Sequence, residues 1–131
     1  MNDHFSCLFV VPQNQTKQDY FTPSKYFPMD AHFEHGHESA LTYLRNCTSE
    51  DFPSLIVLEE AFGFKQNLRF IEEYRSYFYL VFMDTLLFTC NRHSKHQTSQ
   101  YPAIVSDSLT VPFSKQVFMK KVFPLLTVYM V

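Results

Sequence analysis

The chain has 131 residues, enough for one domain with a sizeable core. Its 11 Lys and Arg against 13 Asp and Glu give a net charge of −2, which excludes the basic face that nucleic-acid binding needs. Three cysteines far apart, Cys7, Cys47 and Cys90, form no CxxC pair and cannot all pair within one chain, so buried reduced thiols are expected rather than a disulfide framework.

The first residues, Met1, Asn2, Asp3 and His4, lack the basic start and apolar run of a signal peptide. Leu8, Phe9, Val10 and Val11 form a short apolar run stopped by Pro12, as suits a buried first strand. Asn14 stands where it would cap a helix over residues 15–27, with Pro23 shortening it. Ala31, His32, Phe33 and Glu34 make a weak second strand. Residues 38–46 have helical spacing, with Ala40, Leu41 and Leu44 on one side and Glu38 and Arg45 on another.

Leu55, Ile56, Val57 and Leu58 are continuously apolar, the pattern of a central parallel strand buried on both faces. Residues 66–77 read as a helix with Leu68, Ile71 and Tyr74 or Arg75 turned inward. A fourth strand falls within 79–89, and a short polar helix within 94–100, ended by Pro102. Ser114 is placed to cap a final helix running to residue 126, with Val117, Phe118, Val122 and Leu125 inward. The longest apolar run, residues 77–83, is too short to span a bilayer. A soluble, cytoplasmic protein with neither membrane nor nucleic-acid partner is therefore expected.

This alternation predicts one α/β domain over residues 1–131 with a parallel sheet. Five such repeats fit a flavodoxin-like, three-layer sandwich: a five-stranded sheet in order 2-1-3-4-5 with about five helices. Sites in such folds lie outside the carboxyl ends of the strands.

Several motifs recur in a familiar order. Leu55, Ile56, Val57, Leu58 and Glu59 follow Pro53 and Ser54. Leu86, Leu87, Phe88 and Thr89 precede Cys90. Ser108, Leu109, Thr110 and Val111 precede Pro112. Gly36, Ala40 and Leu41 open the second helical stretch. Together with Phe70, Ile71 and the segment from Gln100 to Asp107, they resemble the receiver domain of bacterial response regulators, the CheY-like superfamily. The resemblance implies that Glu59 stands at the phosphate-accepting aspartate and Thr89 at the hydroxyl that reads the phosphoryl group. It places Val111 at the lysine, Ser108 at the aromatic switch, and Pro12 and Gln13 at the acidic pair that holds the metal.

Receiver chemistry requires a carboxylate-held divalent cation and a well-placed nucleophile. Proline has no ligand group, an amide cannot replace a carboxylate's charge, and Val111 cannot contact a phosphate. Glu59 extends one methylene further than Asp, roughly 1.5 Å. Losing parts that act as a unit argues against residual phosphotransfer. The resemblance thus implies a degenerate pseudo-receiver: not an enzyme, without metal or cofactor, and a protein-interaction module in two-component or phosphorelay signalling. Its partner would be a histidine kinase, a response regulator or a second copy. The final helix and its flank, with Phe113, Phe118 and Tyr129, would form the contact or homodimer face. The alternatives are an active phosphorelay receiver using Glu59 or another acid, and a flavodoxin-like binder of a small anion or flavin.

Glu59 reads as a partly exposed acid at a strand end or as a fixed negative charge resembling a phosphorylated acceptor. If not solvated, it is expected to pair with Arg92, or second with Lys65. Thr89, without a phosphate, is expected to bond to backbone. His32, His35 and His37 cluster with Glu34 and Glu38 at a strand-to-helix junction, a composition that suits zinc but a spacing that does not make the rings converge. No Gly-rich phosphate loop and no Gly-x-Ser-x-Gly elbow is present. Cys90 has no evident base and reads as a core thiol. Tyr74, Tyr77, Phe78, Tyr79 and Phe82 divide between core and an exposed patch.

Overall fold

Each of the three continuous apolar runs becomes a strand buried on both faces. In the computed structural model, which describes residues 6–12, 20, 30–48, 50–78, 85–91, 101–102 and 104–127, these are β1 (Ser6–Val10), β3 (Leu55–Glu59) and β4 (Leu86–Asn91). Strand β2 (Asp30–Glu34) and strand β5 (Val105–Thr110) flank them. The sheet is all-parallel in order β2-β1-β3-β4-β5, as the alternation predicts. Burial follows position: β3 is buried along its whole length, whereas the edge strand β2 is half-buried or exposed at every residue.

Three helices lie among the described residues: α1 (His37–Asn46), α2 (Phe64–Phe78) and α3 (Lys115–Thr127). The stretches 15–27 and 94–100, where two further helices are predicted, lie outside the described residues but for Tyr20. Helices cover both faces of the sheet. On one face Ala40, Leu41 and Leu44 of α1 and Phe70, Ile71 and Tyr74 of α2 pack on Leu8, Val10, Ile56 and Leu58. On the other, Phe118 and Val122 of α3 pack on Phe9, Val57, Phe88 and Leu109. Parallel strands alternate their side chains, so each central strand supplies both cores.

The helix faces depart from expectation in three places. In α2 the inward stripe is Asn67, Phe70, Ile71 and Tyr74, at i, i+3, i+4 and i+7, while Leu68 is half-buried and Arg75 exposed. The true stripe contains an asparagine where an apolar residue was sought. In α3, Ser114 Oγ accepts from the Val117 amide at 3.2 Å, the predicted cap. Capping sets Val117 on the outer side, 44% exposed, and leaves Phe118 and Val122 to face the sheet.

Phe113 and Phe118, expected on an interaction face, are 2% and 1% exposed. They belong to a file of rings beneath α3. Phe33 stacks on Phe9 at 4.9 Å, Phe9 on Phe113 at 6.2 Å, and Phe113 on Phe118 at 5.6 Å between centroids. The turn after β5 brings Phe113 inward, its amide donating to the Tyr20 carbonyl at 2.9 Å. These rings are spent on the core, so they are corrected from surface to interior. Tyr129 lies outside the described residues.

Candidate functional site

Parallel order brings the carboxyl ends of β1, β3, β4 and β5 to one edge. Glu59, the last residue of β3, sits level with Cys90 on β4, and Thr89 sits level with Ser108 on β5. Chain geometry therefore gathers most of the residues singled out by resemblance, and it decides what each can do.

Glu59 is 4% exposed, so the solvated reading of this acid is corrected: the central position of β3 buries it. The Cys90 thiol donates to Glu59 Oε2 at 3.0 Å. Burial above all, then the neighbouring Glu59 carboxylate, pushes the Cys90 thiol well above its ordinary range and keeps it a donor. The next pair along the edge matches it: the Asn91 side-chain amide donates to Glu60 Oε2. Each acid at the end of β3 thus meets a neutral donor from β4. Lys65 is exposed and makes no ion pair with Glu59 among the described residues, and Arg92 lies outside them.

The other positions are equally unlike a phosphoryl site. Val111 is buried at 4% exposure and its amide donates to the Asn91 carbonyl at 2.7 Å, so its side chain fills core. Ser108 is buried. Thr89 is fully buried, and its Oγ1 has no hydrogen-bond partner among the described residues; the expected bond to backbone does not form. Pro12 is half-buried and its carbonyl lies 3.2 Å from His35 Nδ1, while Gln13 lies outside the described residues.

The residue that organises this edge is Asn67, fully buried on α2. Its Nδ2 donates to the Glu59 carbonyl at 3.1 Å and to Tyr101 Oη at 3.4 Å. Its Oδ1 lies 2.8 Å from His37 Nε2. One side chain thus fastens the end of β3, the segment before β5 and the start of α1. The signal in the sequence was a polar residue in phase with Phe70, Ile71 and Tyr74, which a count of apolar positions passes over.

The three histidines do not converge. His32 stacks on Tyr43 at 3.9 Å and lies 2.5 Å from Glu34 Oε2. His35 turns to the end of β1, and His37 turns into the α1–α2 side between Phe62 and Phe70. Strand alternation and the start of α1 separate them, and no group of three metal-ligating side chains forms among the described residues.

The cysteines differ in access, which leads to a prediction. Cys7 and Cys90 are buried and Cys47 is half-buried, and burial raises all three thiols above their ordinary range. In the native protein a water-soluble maleimide is expected to modify Cys47 first, and Cys7 and Cys90 only on unfolding. Peptide mapping after graded labelling reads the order; early modification of Cys90 would show that this edge opens readily.

The chain matches no protein-family model, no curated protein sequence and no solved structure.

Proposed function

We propose that this chain is a non-catalytic pseudo-receiver, a protein-interaction module of bacterial two-component-type signalling that works without metal-dependent aspartyl phosphorylation. The observation that carries the reading is the state of Glu59: at the acceptor position it is buried and bonded by the Cys90 thiol. A metal-assisted acceptor needs an open position for the cation and the phosphodonor. Pro12 and buried Val111, in place of an acidic residue and a lysine, support the same conclusion. So does the sheet order, which in the flavodoxin-like reading would be completed by helices over 15–27 and 94–100.

In this reading the protein is cytoplasmic and its partner is a histidine kinase, a response regulator or a second copy. Among the described residues no helix is long and apolar enough to cross a membrane. On α3 the side left for a partner carries exposed Val117 rather than Phe113 or Phe118.

With acetyl phosphate and magnesium, intact mass is expected to show no added phosphoryl group, and calorimetry no stoichiometric magnesium site. A phosphoryl adduct lost in Glu59→Ala would instead establish an active receiver. A yellow purified protein with a flavin spectrum would establish the flavodoxin-like binder.

A further inference from the structure

His37, the first residue of α1, is built as a contact with two possible stations. Its ring packs against Phe62 at 4.5 Å and Phe70 at 5.4 Å between centroids. Asn67 directs its amide nitrogen at the Glu59 carbonyl, which can only accept, so Asn67 Oδ1 must accept from His37. The proton therefore sits on Nε2, and Nδ1 takes no hydrogen bond among the described residues. Beside the ring, between α1 and α2, opens a cleft of about 400 Å³ lined by His37, Glu38, Leu41, Gln66, Arg69, Phe70 and Glu73.

The groups around the ring set its charge preference. From α2 it meets Asn67, Gln66, Arg69 and Glu73; from its own helix, Glu38; from the 3-10 turn Glu60–Phe62, the Phe62 ring; and through Asn67, Tyr101. The amino end of α1 and Arg69 disfavour a cation, while Glu38 and Glu73 favour one. Burial wins and lowers the His37 pKa from its ordinary 6.5, against the opposing pull of the Asn67 bond and Glu73. The inner station therefore suits the neutral ring, and the cleft, with two carboxylates, suits the imidazolium.

We propose that His37 is a proton-operated latch on the carboxyl edge of the sheet. Neutral, it holds Asn67 in place beneath β3. Protonated, it turns into the α1–α2 cleft toward Glu73 and leaves Asn67 Oδ1 without its donor, loosening the fastening of the Glu59 carbonyl and Tyr101. The movement regulates the shape of that edge and does not depend on the pseudo-receiver reading, since phosphorylation assays do not bear on it.

Because the folded pKa is depressed, the stability His37 contributes is complete above the unfolded value and is lost as pH falls through the window below it. The test is side-chain NMR on the full chain between about pH 8 and about pH 5, following the His37 ring protons and the Asn67 amide pair. The Asn67 signals are expected to move with the same midpoint as the His37 ring. His37→Gln keeps an amide donor for Asn67 but cannot titrate, and should abolish that movement. Glu73→Gln, an exposed change, should lower the shared midpoint. Asn67 signals that stay flat through the His37 titration, or that still move in His37→Gln, would overturn the latch. An unchanged midpoint in Glu73→Gln would overturn the outer station.

Discussion

Phe9→Ala is expected to lower the free energy of unfolding by about 3–5 kcal/mol, the range for emptying a large buried aromatic site. Phe9 is fully buried on β1, the strand with neighbours on both sides. Its ring stacks with Phe33 and Phe113 and contacts Tyr20 at 6.1 Å. Truncation would remove the middle of the file that runs from the β2 edge to α3, leaving rigid rings on either side of a void. Rings relax poorly into such space, so the cost should fall at the upper part of the range. Phe9→Leu, which refills most of the volume, should cost about 1–2 kcal/mol. Urea unfolding with an unchanged m-value measures both. A loss below about 1 kcal/mol for Phe9→Ala would mean that the file contributes little to stability.

Asn67→Leu is expected to cost about 2–4 kcal/mol although it puts an apolar residue into a buried position. The substitution is close in size, so packing changes little. It strips a donor from the Glu59 carbonyl and from Tyr101, and an acceptor from His37. Partly buried polar groups left without partners carry a desolvation penalty that replacement by an apolar side chain does not relieve. The readout is denaturant unfolding together with hydrogen exchange at the 3-10 turn and the start of α1. If Asn67→Leu were neutral or stabilising, the asparagine would be a tolerated polar residue rather than the fastener of this edge. Comparison with Ile71→Ala, a plain cavity on the same helix face, separates the loss of hydrogen bonds from a general weakness of α2.

The apolar runs made β1, β3 and β4 legible because a parallel strand buried on both faces has no polar side to disguise it. Alternation with amphipathic stretches made the sheet order legible in turn. Helix phase was less so. A stripe chosen by apolar residues alone selects Leu68 and overlooks Asn67, because period and hydrophobicity cannot register a polar side chain whose partners come from other elements. The same limit put Val117 inside and left Phe113 unassigned to the core.

The sequence by itself determined the class of fold and the chemical poverty of the edge. Pro12 and Val111 cannot bind a metal or a phosphate in any conformation, since the atoms needed are absent from the side chains. Only the tertiary structure decided what replaced that chemistry. It set Glu59 level with Cys90 and Asn91 beside Glu60, contacts made across strands about 30 residues apart. It drew Asn67 under the end of β3 and separated the three histidines that lie together in the chain. The physical reason is that a side chain's period along one element fixes only its direction; its hydrogen-bond partners and dielectric surroundings come from segments distant in sequence, and exist only once the sheet and helices have packed.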